Sequence, residues 1–145
     1  MAYRLIGQTH VGRGSLYNVK KKRDLALEDY KEAVKAYEQC GDHLMHCESL
    51  RLCGTMCEKT FSNREATEYY IKAYQLKDQL TPEIMRGSTF PFIVKKLINN
   101  STRQKVITND QMHADLSPIF GEDWSDTMYK YGKKPENQPE IEQTF

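Results

Sequence analysis

The sequence predicts an all-α protein made of antiparallel helix hairpins, about two and a half of them, followed by an irregular C-terminal tail. Three observations carry this prediction. The chain repeats itself at an interval of 40 residues. The repeated residues are spaced as one face of a helix. Helix-boundary signals fall where the repeat requires them. Gly14 aligns with Gly54, Ala26 with Ala66, Glu28 with Glu68, Tyr30 with Tyr70, Ala33 with Ala73, Gln39 with Gln79 and Met45 with Met85. Each unit keeps a glycine, then an Ala, Tyr, Ala triplet at i, i+4 and i+7, with unchanged internal spacing. Such positions share one helix face. Small residues at its two ends admit a neighbouring helix, and the ring fills the gap between them. The glycine permits the same close approach on a preceding helix, so each unit reads as a helical hairpin.

The elements follow in order. The first helix is expected over about 2–19, weakened by Gly7, Gly12 and Gly14, each costing about 1 kcal/mol relative to alanine. The second spans about 24–40, with Asp24 as N-cap and Gly41 as its stop. The third runs about 43–60 from Asp42 as N-cap, and the fourth about 64–79 from Ser62-Asn63. Thr81-Pro82-Glu83 supplies a cap, a first-turn proline and a first-turn acid. It opens a fifth helix, interrupted near Gly87 to Pro91 and resuming through Ile93, Val94, Leu97 and Ile98. This fifth helix aligns with the first helix of a third unit. In the tail, a short helix over Thr108 to Leu116 is expected to stop at Ser117-Pro118. The domain division expected from composition is a repeat domain over 1–100 and a polar, acidic, aromatic-containing tail over 101–145, partly extended.

Gly14, Tyr17, Ala26, Tyr30 and Ala33, then Gly54, Ala66, Tyr70 and Ala73, resemble the tetratricopeptide repeat. The 40-residue period and the Gly41-Asp42 link resemble the longer variant of kinesin light chains and Pins-type proteins. Arg13-Gly14 and Cys53-Gly54 replace the family's Leu-Gly pair, Cys57 stands at the Tyr17 position, and the proline after the second helix is displaced to Pro82. The resemblance covers about residues 1–100 and implies a TPR-like α-solenoid. It also implies a groove, lined by the first helices of successive units, that holds a partner peptide or helix. Carried over by register, the groove positions are Gln8, Val11, Ser15, Asn18 and Val19 in the first unit. In the second they are Glu48, Arg51, Thr55, Glu58 and Lys59.

Composition sets bounds. The 145 residues fit one domain of roughly 100–200 residues. A 39% apolar share and a mean hydropathy of −0.74 allow a modest core with polar surroundings. The net charge of +1 gives no global attraction to nucleic acid. Charge is uneven, however: residues 1–37 carry eight Lys/Arg against four Asp/Glu, and residues 122–145 carry six acids against three lysines. No run of 18 apolar residues reads as a membrane span. MAYRLIGQTH lacks the layout of a secretory signal. A cytoplasmic chain with reduced thiols is therefore expected, with no membrane partner.

Chemistry-bearing residues cluster in CGDHLMHCESLRLCGTMC, residues 40–57, which hold all four cysteines and two of the four histidines. On a helix, His43, His46, Cys47, Leu50, Cys53, Gly54 and Cys57 lie within an arc of about 120°. Their ends are about 21 Å apart along the axis, whereas one zinc needs donors at about 2.0–2.3 Å. A straight helix offers only an i, i+4 pair, so no metal or other cofactor is expected. The reading favoured is a packing face of small, soft side chains. GQTHVGRGS lacks the Gly-Lys-Ser/Thr ending of a phosphate loop and reads as close helix packing. Lys20-Lys21-Lys22-Arg23 reads as a solvated turn, and without interleaved aromatics it argues weakly for nucleic acid. No Gly-x-Ser-x-Gly, His-Glu-x-x-His or acid pair points to catalysis.

The expected function is a non-enzymatic interaction module, a scaffold or adaptor that binds a protein partner as a peptide or helix. The alternative is a structural subunit or fragment of a large multiprotein assembly, in a homo- or hetero-oligomer, whose tail docks on neighbouring chains. Phe120, Trp124 and Tyr129 are the candidate tail anchors. Either they fold back on the helical core or they insert into a partner, since aromatic residues dominate interface energies.

Overall fold

The computed structural model describes residues 2–101 and 109–131. Among the described residues there is no strand, and helix is the dominant state. The chain divides into two compact units between Ile93 and Val94, ahead of the composition shift at Ser101.

The first unit opens with four long helices: α1 (Tyr3–Val19), α2 (Arg23–Cys40), α3 (His43–Lys59) and α4 (Asn63–Tyr74). They pack in chain order, α1 on α2, α2 on α3 and α3 on α4. The three turns between them share one geometry. Lys21, Gly41 and Phe61, twenty residues apart, have φ of 61°, 70° and 62°. After each, an amide donates back across the helix end: Lys22 N to Tyr17 O at 2.8 Å, Asp42 N to Tyr37 O at 3.3 Å and Ser62 N to Cys57 O at 2.8 Å. This is the Schellman closure, which satisfies the last carbonyls and reverses the chain. Glycine fits the left-handed position; lysine and phenylalanine occupy it at a cost of about 1–2 kcal/mol. Gly41 is the helix stop that its sequence position predicts. Nothing in the residue types at 21 and 61 announces theirs.

Caps agree with the sequence in two places and differ in one. The Asp42 carboxylate accepts from Met45 N at 3.1 Å. The Thr81 hydroxyl accepts from Ile84 N at 3.3 Å. Asp24, the expected N-cap of α2, lies instead in its first turn, behind Lys22 at the cap. There it complements the positive end of the helix dipole without bonding an amide. A short 3₁₀ turn (Lys77–Gln79) follows α4, and α5 is a single turn, Pro82–Met85. The chain resumes helix earlier than the sequence suggests: α6 runs Thr89–Ser101. Pro91 therefore sits in the first turn, where its missing amide leaves no bond unmade.

The core of the first unit is built from rings on glycines. A Cβ placed on Gly14 would lie 2.9 Å from the Tyr30 ring, and one on Gly54 would lie 2.5 Å from the Tyr70 ring. Tyr37 covers Gly7 in the same manner at 2.7 Å. The alanines flanking these tyrosines, Ala26, Ala33, Ala66 and Ala73, are fully buried. Ala26 and Tyr30 of α2 cluster with Cys53 and Met56 of α3, and Val11, Tyr17, Leu52 and Tyr69 pack around them. Phe90 stacks on Tyr74 with centroids 5.6 Å apart, and Phe92 meets Tyr70 edge-on at 6.3 Å.

Among the described residues one charged side chain is buried. Asp29, 3% exposed, accepts from Arg13 Nε at 2.9 Å, from an Arg13 terminal nitrogen at 2.6 Å and pairs with His10 Nδ1 at 3.0 Å. The Arg13 guanidinium holds the carboxyl below its ordinary range against the opposing effect of burial, with His10 assisting. Forty residues on, the positions of His10, Arg13 and Asp29 are Leu50, Cys53 and Tyr69. The polar cluster therefore belongs to the first hairpin alone.

In the second unit, α7 runs Asn109–Phe120, followed by a 3₁₀ turn (Gly121–Asp123) and α8 (Trp124–Tyr131). The expected stop at Ser117-Pro118 does not occur; Pro118 is inside α7. It lies close to the C-terminus, so the ring removes one bond, that to the Ala114 carbonyl, and the helix ends two residues later at Phe120, followed by Gly121 with φ of +78°. Leu116 and Phe120 are buried. Among the described residues no helix is long and apolar enough to cross a membrane.

Candidate partner-binding face

The faces of α1 and α3 that the sequence nominates are brought into one neighbourhood by the turn geometry. Lys59 Nζ donates to Asn18 Oδ1 at 3.4 Å, across 41 residues. An Arg23 terminal nitrogen donates to the Lys59 carbonyl at 3.4 Å. The ends of the two hairpins are thus side by side.

Most of the candidates on the second hairpin are already committed to internal bonds. Arg51 makes a paired contact with Glu48 through Nε and a terminal nitrogen, and its guanidinium carbon stands 5.3 Å from the centre of the Phe92 ring. Burial works against the charged form of Arg51, and Glu48 more than offsets it. The other Glu48 oxygen accepts from the Thr89 hydroxyl at 2.6 Å. Glu58 accepts from the Tyr70 hydroxyl at 2.6 Å. That hydroxyl also lies 3.4 Å from Thr55 Oγ1. Burial foremost, with Glu58 assisting, pushes the Tyr70 phenol well above its ordinary range. In the first unit, Ser15 Oγ lies 3.0 Å from the Tyr30 hydroxyl, one hairpin's copy of the Thr55–Tyr70 pair. The residue after Gly14 and the residue after Gly54 thus each tether the ring that covers that glycine.

Gln8, Ser15 and Lys59 are exposed, and Asn18 is half-buried. Val11, nominated by register, packs against the Ala26–Tyr30 cluster and serves the core: an apolar side chain facing the second helix is withdrawn from water. Val19 is 80% exposed. Of the tail anchors, Phe120 is buried, and Trp124 is half-buried with its ring 5.7 Å from that of His113. The backbone of Tyr129 lies in α8; its side chain lies outside the described residues.

The cysteine-rich stretch is a packing face. Cys47, Leu50, Cys53, Gly54 and Cys57 are buried, whereas His43 is exposed and His46 half-buried. Burial pushes the Cys47 and Cys53 thiols up to about 12 and raises Cys57 as well. Thiols held in that range are poor nucleophiles, because the thiolate is the reactive form. Cys47 Sγ spends its proton on the Ala73 carbonyl at 3.8 Å. Among the described residues no three His, Cys, Asp or Glu side chains converge as metal ligands do. The glycine-rich segment 7–15 is mid-helix in α1, with two of its glycines under tyrosine rings. Lys20, Lys21 and Lys22 are exposed in the first turn.

Apart from Val19, the sequence did not nominate the exposed apolar residues. Leu5, Leu16 and Val19 on α1 are 63%, 62% and 80% exposed, and Phe61, in its left-handed turn, is 91% exposed. Leu5, Gly12, Leu16 and Val19 follow heptad-like spacing, a signal readable in the sequence had the outer face of α1 been separated from its inner one.

Comparison with family models, curated proteins and solved structures finds no match to the chain. What the fold and face define is an all-helical protein of sequentially packed helices whose polar side chains are ordered across helix boundaries.

Proposed function

We propose that the chain is a non-enzymatic protein-interaction module. It holds a partner peptide or helix along the exposed faces of α1 and α3, as the tetratricopeptide resemblance implies. The observation that supports this reading best is the duplicated tether: Ser15–Tyr30 and Thr55–Tyr70, forty residues apart, at 3.0 and 3.4 Å. It places equivalent surface positions on two successive hairpins. Gln8, Ser15, Asn18 and Lys59 offer donors and acceptors to an extended or helical partner. Glu48, Arg51, Thr55 and Glu58 act differently: bonded to α4 and to Thr89, they fix the floor on which the partner lies. Preorganised polar groups reduce the ordering cost of binding. Intracellular, cytoplasmic scaffold or adaptor work is the setting this reading proposes. The apolar residues on α1 favour a second reading, a subunit of a larger assembly.

The test is affinity purification with the full chain as bait, quantified by mass spectrometry. Gln8→Glu with Lys59→Glu changes the groove without touching the Arg51–Glu48–Thr89 contacts. The expected result is at least one protein enriched by the wild type, retained by a control Glu32→Lys variant on α2, and lost with the groove variant. Enrichment that never depends on residues 8 and 59 refutes the groove.

A further inference from the structure

The repeat lets one hairpin predict what the other lacks. On α3, the face turned towards α2 carries Met45, Ser49, Leu52, Met56 and Lys59. Ser49 is fully buried and Met56 is 1% exposed. Met56 and Leu52 pack in the cluster of Ala26 and Tyr30 from α2, and Lys59 meets Asn18 and Arg23. Forty residues earlier, the same register positions on α1 are Leu5, Thr9, Gly12, Leu16 and Val19. These lie within an arc of about 80° at 100° per residue. Among the described residues nothing covers them: Leu16 is 62% exposed where Met56 is 1%, and a Cβ on Gly12 would meet nothing within 4 Å. The face is apolar except at Thr9, whose hydroxyl donates to the Leu5 carbonyl at 2.9 Å, and small at its middle, which is how one helix admits another.

Charge says what would lie there. Residues 1–23 contain no acid and six bases, with Lys20, Lys21 and Lys22 exposed at one end of the stripe; Arg4, at the other, has its side chain 65% exposed and already pairs with Asp42 at 3.3 Å. A second copy of α1 would bring like charges together. An acidic helix would not. Where α2 lies on α3, Glu38 of α2 stands 3.9 Å from His46, the register position of Ile6. An antiparallel helix on α1 would likewise bring its first-turn acids to Lys20–Lys22. The segment 23–40 itself carries five acids against three bases.

We propose that the outer face of α1, the Leu5–Gly12–Leu16–Val19 stripe, docks an acidic amphipathic helix from another polypeptide in the place that α2 occupies on α3. This surface meets the nominated groove only at Val19: substitutions at Gln8 and Lys59 leave its apolar residues in place, and those at Leu16 leave Gln8, Ser15, Asn18 and Lys59 unchanged.

The probe is a fluorescein-labelled peptide of residues 23–40 with Cys40→Ser, titrated against the full chain and followed by anisotropy. Saturable binding that weakens with salt is expected. Leu16→Asp and Val19→Asp, both at exposed positions, should each weaken it at least about tenfold with unchanged helical circular dichroism, while Leu16→Met keeps it. A peptide with Asp24, Glu28, Glu32 and Glu38 replaced by lysine should bind at least about tenfold more weakly. No saturable binding overturns the proposal, as does binding indifferent to Leu16 and Val19. A charge-reversed peptide that binds equally well removes the acidic requirement and with it the proposal. A concentration-dependent dimer in light scattering, lost with Leu16→Asp, assigns the face to a second copy and also overturns it.

Discussion

Replacing Gly54 with alanine adds one methyl group where the structure has no room for it. The new Cβ would stand 2.5 Å from Tyr70 Cε1, 2.8 Å from Cζ and 2.9 Å from Cδ1, so the ring must retreat by about 1 Å to reach ordinary carbon contact. It is poorly placed to do so. Its hydroxyl is held by Glu58 at 2.6 Å and its edge meets Phe92. Overpacking of this kind costs about 1–3 kcal/mol, and the helix preference of alanine over glycine returns about 1 kcal/mol. Gly54→Ala should therefore lower stability by about 0–2 kcal/mol. Gly12 is the control: it is in a helix with open space around it, so Gly12→Ala should raise stability by about 1 kcal/mol. The two variants should differ by about 1–3 kcal/mol, or several degrees in Tm at roughly 2–4 °C per kcal/mol for a chain of this size. Urea and thermal unfolding followed by circular dichroism measure the difference. The double variant Gly54→Ala/Tyr70→Leu should recover the alanine gain, since the obstructing ring is gone. If Gly54→Ala is as stable as Gly12→Ala, the ring-on-glycine contact does not hold the hairpin together and the reasoning fails.

Two further outcomes follow from the turns and the buried ionisable groups. Lys21→Gly and Phe61→Gly should each raise the unfolding free energy by about 0.5–1 kcal/mol, the left-handed penalty of a side chain less the backbone entropy of glycine, and so raise the urea midpoint; Phe61 is 91% exposed and little packing is lost, so an unchanged or lower midpoint at both sites contradicts the turn geometry. Stability should fall with acid in two stages. Burial foremost, with His43 assisting and Glu38 opposing, lowers the His46 pKa, so the unfolded chain takes a proton there first, and stability declines as pH drops below about 6.5. Arg13 lowers the Asp29 pKa, so its contribution is full above about pH 4 and is lost as pH falls through the folded value. His46→Gln should flatten the first stage and leave the second; a profile unchanged by that substitution refutes the assignment.

The hairpins were legible because their packing needs particular residue sizes at particular spacings. A ring lying this close to a helix leaves no room for a Cβ beneath it, so Gly14 with Tyr30 and Gly54 with Tyr70 recur together. The same logic told that the cysteines of α3 were packing residues, since a single helix spreads them along its axis. Local rules failed where a neighbour compensated. Pro118 stays inside α7 because a helix near its end loses only one bond, and Lys21 and Phe61 take a glycine's conformation because the surrounding helices close the turn.

The sequence by itself determined the helical class, the 40-residue interval, the Gly41 stop and the Asp42 and Thr81 caps, all of which depend on contacts within one turn or on one pair of faces. Only the tertiary structure decided which polar groups are committed and which apolar ones are not. Arg51, Glu48 and Thr89 meet across 41 residues, and Asp29 is neutralised by a helix that precedes it, so their pairing is invisible to any local pattern. Leu5, Leu16 and Val19 are apolar, as core residues are, and only the absence of a helix over them among the described residues exposes them. Burial is a property of what lies opposite, and that is fixed by the packing of whole helices rather than by the residues of one.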